Sequence, residues 1–459
     1  MRFGVPGLDR NMDHPALLIR LGNRPFMMYI ADMSRYKALF AFSLAVVLIG
    51  SVAHRYLGSG KTPQSVDFYV YYFTAQVVHD NPKANLYAVA AGENPQTRSA
   101  PINSDILAHA KAAGFDDVGM YLYPPLLADL FAPISWIHPH LAAALWRLCN
   151  MTFVIASVFL LARMLRVPVV GFEFVALALA AFSFFPIYES LWDGQITILL
   201  LALWMIGIVA YMDRYPVLSA MVFALATAFK VTPILLLPLF LIWKDRRWVV
   251  SYIAASLGLV GAMVAINGVQ SVYDYHQVVA SMGDGIPYVW NKTIGSLVAW
   301  AYYGKVFLAG AADVMTVPPA ILSITAKAAS GIFYLICVYC VWRSRHQDRA
   351  TRGATIAVFG IAIMCVSPVS WRYGYCVAFI ALAIYWVKAL RSSVRTLQLV
   401  LLTLVTCVVG CSFVDLAAQS HLPRICQIFL AGLWVASCAL FSVDALFRTE
   451  EDFGLTKVV

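Results

Sequence analysis

The sequence predicts an all-α, polytopic membrane protein organised as one integral-membrane domain, and three observations carry that prediction. First, 61% of the 459 residues are hydrophobic and 12% are charged, against roughly 25% charged in a soluble domain. Second, apolar runs long enough to enter a bilayer recur along the whole chain. Third, Lys and Arg fall in short clusters between those runs, the pattern that orients a membrane protein. The net charge of +9 therefore belongs to topology, and a nucleic-acid partner is not expected. The 9 cysteines lie in or beside apolar runs. They read as small core residues rather than as disulfides or metal ligands.

The elements follow in order. Residues 1–37 are basic, with Arg2, Arg10, Arg20, Arg24, Arg35 and Lys37, and read as a cytoplasmic N-terminus before an uncleaved first helix over 38–52. A polar insertion then runs from 54 to 120 and, with 121–140, forms a large loop on the external side. Within it, Ser65-Val66-Asp67-Phe68-Tyr69-Val70-Tyr71-Tyr72 places aromatics at helical spacing, which predicts a short amphipathic helix along the membrane surface beginning at Asp67. Asn81-Pro82 and Gly92-Glu93-Asn94-Pro95 are turn signals.

Residues 121–137 are apolar but carry Pro124, Pro125, Pro133 and Asp129. A juxtamembrane or re-entrant segment is expected there, with the crossing at 141–162. Further spans are expected near 168–187, 195–212, 248–267, 319–342, 353–367, 373–390, 396–415 and 424–446. Residues 216–243 read as two short helices broken near Lys230-Val231-Thr232-Pro233, because so few residues at 1.5 Å each cannot cross twice as a straight hairpin. This gives about 12 crossings, a domain over 38–447 and a cytoplasmic tail over 448–459. The ionisable and amide residues Asp67, Asp129, Glu189, Asp193, Gln195, Lys230, Asp284, Asn291, Lys292 and Arg372 then gather on the external side, and such groups near lipid are functional candidates.

The chain resembles the integral-membrane glycosyltransferases of the GT-C fold, family 87, which contains actinobacterial polyprenyl-phosphate-mannose-dependent α-mannosyltransferases. The matching pieces stand in family order: Asp67-Phe68 with Tyr71-Tyr72 and Asn85-Leu86-Tyr87; Tyr123-Pro124-Pro125-Leu126 with Pro133 and Leu145-Trp146; Gly194-Gln195-Ile196-Thr197; Lys230-Val231-Thr232-Pro233; and Ser367-Pro368-Val369-Ser370-Trp371. Two departures stand out. The family pattern has an Asp-His-like pair where this chain has Arg372-Tyr373, and an Asn-Gln-Ser pattern where it has Asn291-Lys292-Thr293. The resemblance implies a GT-C-type fold, an essential acid in the loop after the first helix, matched by Asp67, and a donor whose lipid tail lies in the bilayer.

The chemistry can be stated independently of the resemblance. An acceptor hydroxyl attacking an anomeric carbon needs a carboxylate to take its proton, and a phosphate leaving group needs cations to meet its growing charge. Asp67 is the candidate general base; its competing role is a helix cap. Lys230 and Arg372 are the candidate phosphate-binding cations, and the alternatives are a snorkelling lysine and an interfacial anchor. Gln195 reads as a ligand to a sugar hydroxyl or as a satisfied helix end. Tyr123 and Trp371 are candidates for stacking on a sugar or for the aromatic belt, and Asp129 and Asn291 for further substrate contacts. His138 and His140 flank Pro139 without a carboxylate in register and read as loop residues.

These readings combine into an inverting mannosyltransferase-like enzyme using a polyprenyl-phosphate sugar. Its acceptor is a lipid or glycan hydroxyl, and its active site faces the periplasm or exterior of the cell membrane. It is expected to need no cofactor and no metal. A transporter or flippase for lipid-linked sugars, and a non-enzymatic envelope-assembly scaffold, are the competing classes.

Overall fold

The computed structural model describes residues 37–49, 66–87, 103–116, 118–281, 291–308, 319–391, 395–411 and 423–447. The N-terminal basic stretch before Lys37, the Gly92–Pro95 turn, Asp284 and the tail over 448–459 lie outside the described residues. Among the described residues the structure is helical throughout, and the isolated bridge between Asn291 and Trp371 is the β contact.

The helices are α1 (Lys37–Ile49), α2 (Val66–Asp80), α3 (Ser104–Ala112), α4 (Pro125–Phe131), α5 (Pro139–Met164), α6 (Phe172–Ser183), α7 (Phe185–Asp193), α8 (Thr197–Met212) and α9 (Pro216–Phe229). They continue as α10 (Leu237–Ile242), α11 (Arg246–Ser281), α12 (Ile294–Leu308), α13 (Ala320–Arg343), α14 (Arg349–Val366), α15 (Ala378–Arg391), α16 (Thr396–Cys411) and α17 (Arg424–Phe447). Among the described residues, 6 helices are long and apolar enough to cross a membrane: α5, α11, α13, α14, the run Arg372–Arg391 and α17. The pair α6–α7, bent by 58° at Phe184, makes a seventh if it is one span. The expectation of about 12 crossings is not reached by this measure. The apolar helices α1, α8, α9 and α16 are shorter, and α8 with its 16 residues covers about 24 Å at 1.5 Å per residue, less than the ~30 Å hydrocarbon core.

The break expected near Lys230 is present. Helix α9 ends at Phe229, Lys230 is extended (φ −153°, ψ 115°), and a 3₁₀ turn over Thr232–Leu236 leads into α10. Proline explains the arrangement: Pro233 disfavours a helical Thr232 at the end of a continuing α-helix but fits the first turn of a new one. Residues 121–137 form α4 followed by a 3₁₀ turn over Ala132–Ile134, so this proline-rich stretch is two short turns of helix. A helix the sequence did not suggest, α12, lies between 268 and 318.

The surface helix expected at Asp67 is instead a core helix. On α2, Phe68, Val70, Tyr71, Tyr72, Phe73, Thr74, Ala75, Val77 and Val78 are all buried, because apolar side chains cover every face rather than one stripe. They form a compact core with α3, α4 and the start of α5, while the larger core joins α8, α9, α14, α15 and α17. The two cores adjoin through Ile196, Leu200, Leu203, Ala226 and Phe229, bundle residues that pack into the smaller core. The candidate site lies along that seam.

Candidate functional site

Asp67 stands in the first turn of α2, where backbone N–H groups favour a carboxylate. Its carboxylate is not left to the helix end: Gln195 Nε2 donates a hydrogen bond to Asp67 Oδ2. The amide is oriented by what it accepts. Gln195 Oε1 lies 2.9 Å from the hydroxyl of Tyr71 and 3.2 Å from that of Tyr123, and the two hydroxyls are 3.0 Å apart. With both phenols on the oxygen, the nitrogen must face the acid.

Gln195 is itself held by the backbone around Gly194. Gly194 ends α7 in the left-handed conformation (φ 70°), which glycine adopts at low cost, and Gln195 N–H returns to the Ser190 carbonyl at 2.8 Å. A Cβ on Gly194 would lie 2.7 Å from Phe68 Cβ. Trp146 Nε1 donates to the Gly194 carbonyl at 2.7 Å, and Asn150 Nδ2 reaches the Gln195 carbonyl at 3.3 Å. The close approach of Gly194 to Phe68 thus sets the distance between acid and amide.

Burial pushes the Asp67 carboxyl up, and the charge of Asp193 adds to it. The Gln195 hydrogen bond and the Arg372 guanidinium oppose them, and the outcome is about 7. Asp67 nonetheless keeps partial solvent exposure. A carboxylate with these properties is matched to proton abstraction near neutral pH.

Arg372 opens the 3₁₀ turn Arg372–Val377 and forms an ion pair with the buried Glu189 of α7. Its guanidinium also lies 5.8 Å from the Phe185 ring. Serine and cysteine tie this turn to α7: Ser190 Oγ is 3.2 Å from Cys376 Sγ, which is 3.1 Å from the Pro186 carbonyl. Lys230 approaches the same turn from α9, with Nζ 3.7 Å from where a Cβ on Gly374 would stand. Asn291 clamps the preceding loop. Its Oδ1 accepts from Ser370 N–H at 2.8 Å and its Nδ2 donates to the Pro368 carbonyl at 3.2 Å, while Asn291 pairs with Trp371 as a bridge. The Lys292 carbonyl accepts from Tyr375.

The structure therefore brings Asp67, Gln195, Tyr123 and Arg372 into one group; Trp371 is on the segment that carries Arg372, and Lys230 and Asn291 pack against that segment from elsewhere in the chain. Asp129 is set apart on α4, where Asn267 Nδ2 donates to its Oδ2 at 2.7 Å; burial pushes its carboxyl up. His140 is engaged outside this group, with Nδ1 2.8 Å from the Tyr69 hydroxyl. Four members have no chemical role assigned by the sequence. Tyr71 was visible in the motif around Asp67, and Glu189 and Asp193 as charges just before Gly194-Gln195. Tyr373, a departure from the family pattern, lies within electrostatic reach of Asp67, Tyr123, Glu189 and Asp193.

A family comparison matches residues 121–368 of the chain, more than half of it, to glycosyltransferase family 87. A search of curated proteins returns no match.

Proposed function

Because the chain belongs to glycosyltransferase family 87, we propose that it transfers a sugar, mannose first among the candidates, from a polyprenyl-phosphate donor to a lipid or glycan hydroxyl. The reaction takes place at the external face of the cell membrane. The observation that carries this reading is the partly exposed Asp67, fixed by Gln195 and held near neutrality with Arg372 in its field.

The acceptor oxygen attacks the anomeric carbon while Asp67 takes its proton. The bond from that carbon to the phosphate oxygen breaks, and its electron pair leaves on the phosphate, so the anomeric centre inverts. One carboxylate suffices because the leaving phosphate needs no proton to depart, unlike the alcohol released by a glycosidase. Arg372 and Lys230 meet the charge that grows on the phosphate. Arg372 shares its charge with Glu189, which holds the guanidinium in place between turnovers. Gln195 orients the base, and Tyr123 fixes Gln195. Trp371 offers a ring to the sugar, and Asn291 shapes the loop beneath it.

The test is direct. Purified protein is incubated with polyprenyl-phosphate mannose and a lipid extract, and products are read by mass spectrometry. A hexose increment with wild type and its loss in Asp67→Asn is the expected result. No increment with any polyprenyl-phosphate sugar, or full activity in Asp67→Asn, overturns the proposal. Translocation of the donor without a new glycosidic bond supports the transporter class instead.

A further inference from the structure

The seam between the cores holds a second polar group that the reaction above does not use. Helix α11 breaks at Gly268 (φ 82°, ψ 158°). On either side of the break, Asn267 and Ser271 are 3% and 4% exposed. Asn267 gives its Nδ2 to Asp129, but among the described residues its Oδ1 has no partner, and neither Ser271 Oγ nor Asp274 Oδ2 has one. Each such enclosed atom costs stability unless something meets it.

Ser271 shows why the fold leaves it open. Thr74, Ser157, Ser190 and Thr227 each bond the carbonyl four residues earlier at 2.7–2.8 Å. For Ser271 that carbonyl belongs to Asn267, immediately before the break, and the bond is not made.

The surroundings suit a sugar. Ser271, Asp274 and Tyr275 share one face of the helical segment after Gly268, and the Tyr275 ring stands 5.8 Å from that of Tyr87. Tyr87 lies within electrostatic reach of both Asp129 and Asp274. Its hydroxyl donates to the Tyr123 carbonyl at 2.7 Å, and its ring neighbours Tyr121, which neighbours Tyr123. A wall of tyrosines thus leads from the Asp67–Gln195 pair to Asp129. Carboxylate, amide and hydroxyl groups beside aromatic faces are the donors, acceptors and stacking surfaces that a polyhydroxylated ring uses. Asp129, Asn267, Ser271 and Asp274 bring two carboxylates and no cation, which favours neutral hydroxyls over a phosphate.

We propose that Asp129, Asn267, Ser271 and Asp274, walled by Tyr87 and Tyr275, form a carbohydrate subsite that holds the acceptor glycan while Asp67 deprotonates its attacking hydroxyl. The assignment to the acceptor rests on the transferase reading; the binding of a sugar at this place does not.

Two measurements on the purified full chain separate the two. In the transfer assay, Ser271→Ala, Asn267→Leu and Asp129→Asn each raise the acceptor KM about tenfold, as expected for a buried hydrogen bond lost to a ligand, with the donor KM unchanged. Ser271→Ala, the smallest change, keeps the test valid if the others fail to fold. In a binding assay, methyl α-mannoside and a mannose disaccharide saturate wild type and Asp67→Asn but not Ser271→Ala. Saturable binding without transfer by wild type preserves the subsite and sinks the transferase reading. Transfer with an unchanged acceptor KM in Ser271→Ala and Asp129→Asn overturns the subsite. So does a parallel rise of donor and acceptor KM, or the absence of sugar binding by wild type.

Discussion

Replacing Asp67 by Asn tests the site through stability as well as rate. The folded carboxyl titrates at about 7, against about 3.9 in an unfolded chain. The folded state therefore binds the extra proton between those values. Its contribution to stability is complete below about pH 4 and is lost as pH rises to about 7, beyond which it stays lost. Three pH units at 1.36 kcal/mol each amount to about 4 kcal/mol, and the partial exposure of Asp67 to solvent reduces the expected figure to about half. Asn cannot ionise and escapes this loss. The melting temperature of Asp67→Asn minus that of wild type, measured in detergent from pH 5 to 8.5, should grow up to about pH 7 and then level off. Two of those three pH units fall inside the measured range, about 1.4 kcal/mol after that reduction, and for a chain of this length the change is about 1–2 °C. Transfer should fall about 10²–10⁴-fold in the same variant, and the wild-type rate should rise with pH through about 7. A melting difference that does not change between pH 5 and 8.5 refutes the electrostatic argument, whatever happens to the rate.

Gln195→Leu removes a hydrogen bond that lowers the Asp67 pKa, so the acid limb of the rate profile should move to higher pH; an unmoved limb means that Gln195 does not tune the base. Arg372→Gln removes a cation that acts in the same direction and one proposed phosphate contact, so the same limb should rise and the donor KM should increase about tenfold, both read from initial rates. Lys230→Ala should raise the donor KM and leave the acceptor KM alone; equal effects on both argue that Lys230 only supports the turn beneath Gly374. Gly194→Ala forces a Cβ against Phe68 at a positive φ and should lower stability by about 1–3 kcal/mol, seen as earlier thermal unfolding.

Much of this was legible in the chain because it depends on local chemistry. Pro233 after Lys230 marked a helix break, and the break is there. Gln195 reads as a ligand or as a residue satisfying a helix end, and α7 does end at Gly194 just before it, with the amide turned to Asp67. What escaped the sequence depends on contacts across the chain. The aromatics after Asp67 at helical spacing point to a surface helix, yet α2 is apolar on every face and is enclosed by α3, α4 and α5, whose packing no local pattern reports. The ion pair that engages Arg372 joins residues 189 and 372, and one sequence does not pair distant charges. Asn267-Gly268 inside an apolar run was a readable break signal. Its meaning, an amide turned toward Asp129 with one oxygen left over, appears only when α11 meets α4.

The division of the protein into two cores bears on the proposed chemistry. Asp67 lies on the helix that builds the smaller core, whereas Arg372 opens a turn packed into the bundle and Lys230 reaches that turn from the end of α9. Inverting transfer needs the nucleophile and the leaving group on opposite sides of the anomeric carbon, with a base for one and positive charge for the other. A site assembled along a seam can supply each from its own body, keeping the ionised base from being quenched by direct contact with the cations. The cost is that the base must be registered against the bundle, and Gln195 provides that register. Its backbone is held by Ser190, which bonds Thr197 and Cys376 of the bundle, and by Asn150, yet its side chain bonds the acid of the other core. The same amide that tunes the base therefore also sets how far it stands from the cations that receive the departing phosphate.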